Sequence, residues 1–433
     1  MVATPFWYNA ALALIKPLYQ SRIRKRATDP EQLQQELTER FGPFQPPKNL
    51  HAIWFHVVSV GETNAAQPLI EHYLKLGHPV LVTNTTKTGQ ARAKSLFLRA
   101  PYLDLFQAVY LPADQKALVR AFYQQYQPKL LLLMETELWP NLLDQAPQFN
   151  VPSVLLNARL SEKSAKGYAK VKGLTSGMLQ RLTQLLAQDS VTQQRYIQLG
   201  IAAEKTQVLG NIKFDITAPE RFTQQADQLK QEWQLAGRQI MTLASTHAPE
   251  EKDILSALKP ALVADPNLVC IVVPRHPERF DEVFQAARSL GLSTHRRSLG
   301  EQITPETQVY LADSMGEMWL WYCLSQACYV GGSLNEPGGG HNILEPIALN
   351  VPTVLGKNYF NFQTIVDEFV DAQAVEVVDN FKHAAETLLE LLSNSEKAES
   401  LNTTAQKIMQ QNQGSLVKHI QVIDQYLQKN QSS

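Results

Sequence analysis

Ala52-Ile53-Trp54-Phe55-His56-Val57-Val58-Ser59-Val60 is a mostly apolar run, and Gly61-Glu62-Thr63-Asn64 follows it directly. The run reads as a strand buried on both faces. Gly61 permits the tight turn that leads into a helix over Glu62–Leu76. Outward from this unit the pattern repeats. Pro79–Thr83, Ala108–Leu111, Lys129–Met134, Ser153–Leu156 and Leu185–Ala187 are further strand-like runs, with helical stretches between them. Strands alternating with helices predict a parallel sheet covered by helices on both faces.

Near Phe214–Gln225 polar residues and Pro219 interrupt the order, and then it restarts. Ile240–Ala244, Val269–Val273, Gln308–Ala312, Ala327–Val330 and Val351–Leu355 read as strands, and Glu250–Ala264 and Pro277–Leu290 as helices between them. The tail from Phe381 reads as helices. The fold class predicted is α/β, with two doubly wound, Rossmann-like halves joined near residue 220. A chain of 433 residues is too long for one ordinary core, which agrees. In such sheets ligands bind beyond the carboxyl ends of the strands, so the residues just after each strand carry the chemistry.

The charge balance excludes one class of partner. Lys and Arg number 40 against 41 Asp and Glu, a net charge of -1, so no overall field draws the chain to nucleic acid. Residues 1–100 are different, with 12 basic against 6 acidic residues. Phe6 to Tyr19 is mostly apolar, starts with Phe6, Trp7 and Tyr8, and is followed by Arg22, Arg24, Lys25 and Arg26. A bilayer span takes roughly 20 apolar residues, and Lys16 with Pro17 interrupts this one. A signal peptide has its charges before the apolar run. Two readings remain: an interfacial helix with basic residues on anionic lipid, or a core helix with a solvated basic tail. Cys270, Cys323 and Cys328 make neither a disulfide framework nor a four-Cys zinc site, which fits a reducing compartment.

Several loops stand out. Glu62, at a helix start after the first strand, either complements the helix dipole or takes a proton at a cleft mouth. Thr83–Gly89 offers hydroxyls and amides to a polar ligand, or caps the next helix. Met134-Glu135-Thr136-Glu137-Leu138-Trp139-Pro140 places two acids at the end of Leu130–Leu133, where a buried acid must be paired. Lys213, in Gly210-Asn211-Ile212-Lys213-Phe214-Asp215, is one candidate partner. In the second half, Ser245-Thr246-His247 and Pro274-Arg275-His276-Pro277-Glu278-Arg279 end neighbouring strands and suit a phosphate. Zinc on His247 and His276 lacks a third ligand at usual spacing. Gly331 to Asn342 holds five glycines, whose backbone N–H groups would approach a ligand closely. It is neither a Walker loop nor a dinucleotide fingerprint.

Together these blocks resemble the Kdo transferases, enzymes that move 3-deoxy-D-manno-octulosonic acid (Kdo) from CMP-Kdo onto the lipid A precursor, lipid IVA, of lipopolysaccharide. Ser59–Glu62, Met134–Asn141, Leu156–Ser161, Gly210–Asp215, Ser245–His247, Pro274–Phe280, Met315–Glu317 and Gly339–Asn342 with Glu345 carry the likeness in order along nearly the whole chain. Ala248-Pro249 replaces the family's more usual Glu-Gly, and Ile343 stands where proline is common.

The resemblance implies a metal-independent, inverting glycosyltransferase of GT-B type, its two halves facing a central cleft, with no cofactor. It implies Glu62 as catalytic base, and Glu135 and Lys213 as groups that stabilise the transition state. Pro274, Arg275, Met315, Gly316, Glu317, Asn342, Ile343, Leu344 and Glu345 would bind CMP. Residues 1–28 would associate with the membrane, 29–218 bind the acceptor and 219–433 the donor, at the cytoplasmic face of the inner membrane. Two rival readings are a UDP-sugar transferase or epimerase of the same architecture, and a nucleotide-responsive membrane scaffold.

Overall fold

The computed structural model describes residues 4–27 and 29–429. Residues 1–3 and 28 of the expected membrane-associating segment, and 430–433 of the helical tail, lie outside the described residues.

Two parallel seven-stranded sheets form, each with its own core. In the first, β1 (Ile53–His56), β2 (Val80–Asn84), β3 (Phe106–Tyr110), β4 (Leu130–Met134), β5 (Ser153–Ala158), β6 (Gln184–Ala187) and β7 (Thr206–Val208) lie in the order β3-β2-β1-β4-β5-β6-β7. Strand periodicity sends alternate residues to opposite faces. Leu131 and Leu133 therefore join Trp54 and Phe122 in one layer, while Leu130 and Leu132 join Ile53 and Phe55 in the other. All four leucines are fully buried. That accounts for an apolar run with no polar alternation.

The second sheet contains β8 (Gln239–Thr246), β9 (Leu268–Pro274), β10 (Thr294–Arg296), β11 (Val309–Leu311), β12 (Ala327–Val330), β13 (Thr353–Gly356) and β14 (Glu376–Val378), in the order β10-β11-β9-β8-β12-β13-β14. Its two layers are built around Met241 and Leu243 on one face, and Ile240 and Ile271 on the other. The short strands β10 and β14 were not among those expected. Both are sheet edges, where one neighbour is missing and no apolar run is needed.

The chain divides at Asp215: one compact unit runs to that residue and resumes at Asn412, and the other is Ile216–Gln411. The sequence reading carries the second half on to residue 433. The helix Ser415–Lys429 instead returns to the first unit, because its apolar face has a place there. Val422, Ile423 and Leu427 pack in the layer that holds Ile70 and Tyr73. The Tyr73 hydroxyl donates to Asp424 at 3.0 Å. Asp215 Oδ1 accepts the Gly414 N–H at 2.6 Å. His419 is fully buried: Nδ1 donates to the Ser415 carbonyl at 2.7 Å and Nε2 accepts the Asn157 N–H at 3.2 Å. Burial pushes its pKa down to about 4, and the two bonds fix the neutral ring.

The amino-terminal helix spans Phe6–Lys25 and so includes most of the basic cluster. It is docked at both ends. Tyr8 donates its hydroxyl to Asp114 at 2.9 Å, and Asn9 accepts from the Asn141 side chain at 2.9 Å. At the far end Ile23 is fully buried and Arg26, just beyond the helix, pairs with Glu36. One face of the helix is uncovered, with Phe6, Leu14 and Leu18 exposed by 86, 80 and 71%. A core helix does not leave such side chains uncovered. Among the described residues no helix is long and apolar enough to cross a membrane.

The returning helix gives a direct test. Ile423→Ala removes apolar volume from a site with no solvent exposure, and should cost about 2–5 kcal/mol of stability, read by urea unfolding of the full chain.

Candidate active site

In a parallel sheet the loops that leave neighbouring strands diverge where the strand order reverses, and the gap between them is the usual ligand site. In the first sheet this point lies between β1 and β4. Glu62 follows β1, and Glu135 and Glu137 follow β4. The topology therefore brings together the acids that the sequence separates by more than seventy positions.

Ser59 caps the helix Val60–Lys75, its hydroxyl accepting the Glu62 N–H at 3.4 Å. The Glu62 side chain turns back so that Oε2 accepts the Val58 N–H at 2.8 Å. Burial pushes its carboxyl up to about 8, against the pull of the Val58 N–H; the charges of Glu135 and Glu137 push the same way, and Lys213 opposes them. Glu135 itself is paired. Lys213 Nζ donates to Oε1 at 2.6 Å, and Arg159 Nε lies 3.8 Å from Oε2. Lys213 is set by Asn211, whose side chain accepts its backbone N–H at 3.1 Å. Glu135 has φ +56, in the left-handed region that non-glycine residues seldom occupy. Its N–H donates to the Leu156 carbonyl at 3.0 Å and its own carbonyl accepts the Arg159 N–H at 3.3 Å. The strand ends thus hold the backbone in that state.

Two further residues join this cluster without having been assigned a role from sequence. Glu137 Oε2 accepts the Trp139 indole N–H at 2.9 Å and lies 3.6 Å from Nε2 of His56, which is fully buried. A histidine inside the otherwise apolar run of β1 was the available signal. The Thr83–Gly89 loop resolves as a cap: the Thr86 hydroxyl accepts the Gly89 N–H at 3.1 Å and donates to the Val58 carbonyl at 2.8 Å.

In the second sheet the order reverses between β8 and β12, so Ser245–His247 and the glycine-rich segment are neighbours. His247 and His341 stack, with Nε2 atoms 2.9 Å apart. Burial, with the charges of His247, Arg275 and His276, pushes His341 down to about 4. Arg275 is exposed, and its backbone N–H donates to the Thr246 carbonyl at 3.0 Å. Its guanidinium has no hydrogen bond or ion pair among the described residues. Pro274 ends β9 and is buried. Asn342 donates to Glu345 at 3.3 Å, and burial raises the Glu345 carboxyl above its ordinary range. Met315 is exposed, and Gly316 has φ +84.

Three expectations need correction. The glycine-rich segment does not present its first N–H groups to a ligand, because Glu250 takes them. This carboxylate is fully buried and accepts from the backbone of His247, Gly332, Ser333 and Leu334, and from the Tyr329 hydroxyl, at 2.8–3.1 Å. The glycines answer to close packing of the chain itself; a Cβ on Gly331 would sit 2.7 Å from Thr246 Cα. Ile343 and Leu344 have buried side chains, and the Leu344 N–H already donates to Asn342 Oδ1 at 3.1 Å, which leaves their carbonyls and the Ile343 N–H for a ligand. Glu317 is already engaged: Arg297 donates to it at 2.9 and 3.2 Å and Ser314 donates a hydroxyl hydrogen bond. Burial pushes its carboxyl up, but these partners outweigh it and hold it below the usual range. Among the described residues no group of three His, Cys, Asp or Glu is disposed to hold a metal ion.

Comparison with known proteins fits this geometry. The profile of a family described as 3-deoxy-D-manno-octulosonic-acid transferase (kdotransferase) matches residues 35–216. A 3-deoxy-D-manno-octulosonic acid transferase of Haemophilus influenzae is 37% identical over 434 residues, covering 98% of this chain and 99% of that one. The chain belongs to the Kdo transferase family. Among solved structures, a glycosyltransferase from Rickettsia africae shares the fold at 13% identity, with a TM-score of 0.52 over 88% of this chain and 99% of that chain. Membership of that family makes the enzyme a glycosyltransferase, and its two doubly wound units give it the GT-B fold. The C-terminal CMP-Kdo binding domain of WaaA from Acinetobacter baumannii is 61% identical, with a TM-score of 0.44, over 44% of this chain and all of that one.

Glu250 is the residue on which the second loop cluster of this transferase hangs. Glu250→Gln sets an amide N–H against donors and should destabilise by about 1–3 kcal/mol for each group left unpaired, measured by urea unfolding.

Proposed function

We propose that the protein transfers Kdo from CMP-Kdo to the lipid A precursor, lipid IVA, with inversion at the sugar and release of CMP. The observation that carries this reading is the near full-length likeness to a Kdo transferase, with Glu62 at the carboxyl end of β1 and the Glu135–Lys213 pair in the same loop cluster. A general base works best when its pKa lies near the working pH. Glu62 takes the proton of the acceptor hydroxyl as that oxygen bonds the anomeric carbon of Kdo. The bond from that carbon to the CMP phosphate breaks, and its electron pair leaves on the phosphate. Lys213, oriented by Glu135, supplies fixed positive charge to the transition state.

The second unit binds the nucleotide in this proposal. Arg275, whose guanidinium has no partner among the described residues, meets the CMP phosphate with a fork of donors that lysine lacks. Asn342 and Glu345 address the ribose or base, and Pro274, Ile343 and Leu344 contribute through backbone. Met315 and Gly316 flank the nucleotide, and Glu317 acts by holding Arg297. The first unit binds the acceptor. The helix Phe6–Lys25 holds the enzyme peripherally on the cytoplasmic face of the inner membrane, its exposed apolar side chains in the interface and its basic residues on anionic lipid.

Two measurements test the assignment. Glu62 must be ionised to act, and its raised pKa keeps it protonated below about 8. Turnover should therefore climb as pH rises toward and through about 8. Glu62→Gln should lower turnover by about 10²–10⁴ and remove that limb. Near-normal turnover in the variant would defeat the role of base. Arg275→Ala should weaken CMP binding by about 1.5–3 kcal/mol, read by calorimetry, with UDP as the control that separates CMP from other nucleotides.

A further inference from the structure

Between the two anchors of the amino-terminal helix lies a cavity of about 350 Å³, walled by that helix and by the carboxyl ends of the first strands. Its size falls in the range of small-molecule pockets, roughly 300–1,000 Å³. Leu12, Ile15, Phe41, Leu111, Pro112 and Trp139 give it largely carbon walls. We propose that this hollow takes an acyl chain of the lipid acceptor. The inference rests on the reading of the protein as a transferase with a lipid acceptor, and adds a subsite to it.

Three polar groups in the wall argue for hydrocarbon over a sugar or peptide, because they are already satisfied. Arg40 is buried and spends its guanidinium on Glu36 at 2.9 Å and the Thr85 carbonyl at 2.6 Å. Asp114 accepts Tyr8 and the backbone N–H groups of Asn141 and Leu142 at 2.9–3.1 Å. The Trp139 indole donates to Glu137. A guest rich in donors and acceptors would find few partners here and lose its hydration.

The lining also bears on which guest fits. Val58 and Glu137 belong to it: Val58 donates its N–H to Glu62, and Glu137 acts electrostatically on the same carboxyl. Ile15 both lines the hollow and is 51% exposed, on the helix that also exposes Leu14 and Leu18. The wall thus includes both an exposed apolar side chain and a residue hydrogen-bonded to the candidate base. Lys16 also lines it, 5.5 Å over the Phe41 ring, with no acidic partner among the described residues. A cation beside carbon walls suits an amphiphile with an anionic head.

The test uses the full chain with Trp7→Phe, which removes the tryptophan on the exposed helix face, and ω-bromododecanoate kept below its micelle concentration. Bromine quenches indole fluorescence at contact. The expected result is saturable quenching of Trp139 that disappears in Trp139→Phe. Leu12→Phe, which fills the hollow from the helix side, should weaken the probe by about tenfold. Leu14→Ala with Leu18→Ala, on the outer face, should leave its affinity unchanged. Unsaturable quenching, or loss of affinity only in the Leu14 and Leu18 variant, would place the chain on the outer surface and overturn the proposal. A turnover assay separates it from the function it rests on. Saturable probe binding without Kdo transfer defeats the transferase reading and keeps the hollow. Transfer to acylated and deacylated acceptor with equal KM, in both parent and Leu12→Phe, defeats the hollow alone.

Discussion

A parallel sheet whose strand order reverses leaves a gap between two loops, and each unit of this protein places its distinctive side chains at such a gap. The reversal between β1 and β4 collects Glu62, Glu135 and Glu137; that between β8 and β12 collects His247, His341 and the glycine-rich segment. The contrast between two carboxylates at these gaps separates anchor from reactive group. Glu250 is enclosed by five donors, so its charge is fully solvated by the protein and it serves only to hold loops. Glu62 is half-buried, with one backbone donor and two acids nearby. Its ionised form is under-solvated, which is the condition of a group ready to accept a proton.

The core of the fold was legible in the sequence because its strands are buried on both faces. Leu130 to Leu133 has no other stable home. The edges of the second sheet were not legible: β10 and β14 are three residues each, too short to show a period. The return of the last helix could not be read either, since the apolar stripe of Val422, Ile423 and Leu427 fits any exposed apolar layer.

The site divides in the same way. The positions of Glu62, Glu135 and Arg275 after strands were plain from spacing, and the pairing of Lys213 with Glu135 was anticipated as one option. Glu250 was hidden. It opens a helix beside Glu251 and Asp253, and looks like ordinary solvated acid at a helix start. Four of its five donors come from residues 329–334, some eighty positions on, and no local pattern announces them. The glycines were misread for a related reason: sequence gives their freedom but not whether a ligand or the chain itself approaches.

The chain's passage out of the first unit at Asp215 and back at Asn412 has a consequence for synthesis. Domains ordinarily fold in turn as they leave the ribosome, at about 5–20 residues per second. Here the first unit must wait through the 196 residues of the second, roughly 10–40 s at that rate, before its last helix emerges. Throughout that interval the layer around Ile70 and Tyr73 stays open to water. The inserted unit, continuous in sequence, completes its own core first. In this protein the half begun first is finished last, and its uncovered face is the surface that a nascent-chain chaperone would meet.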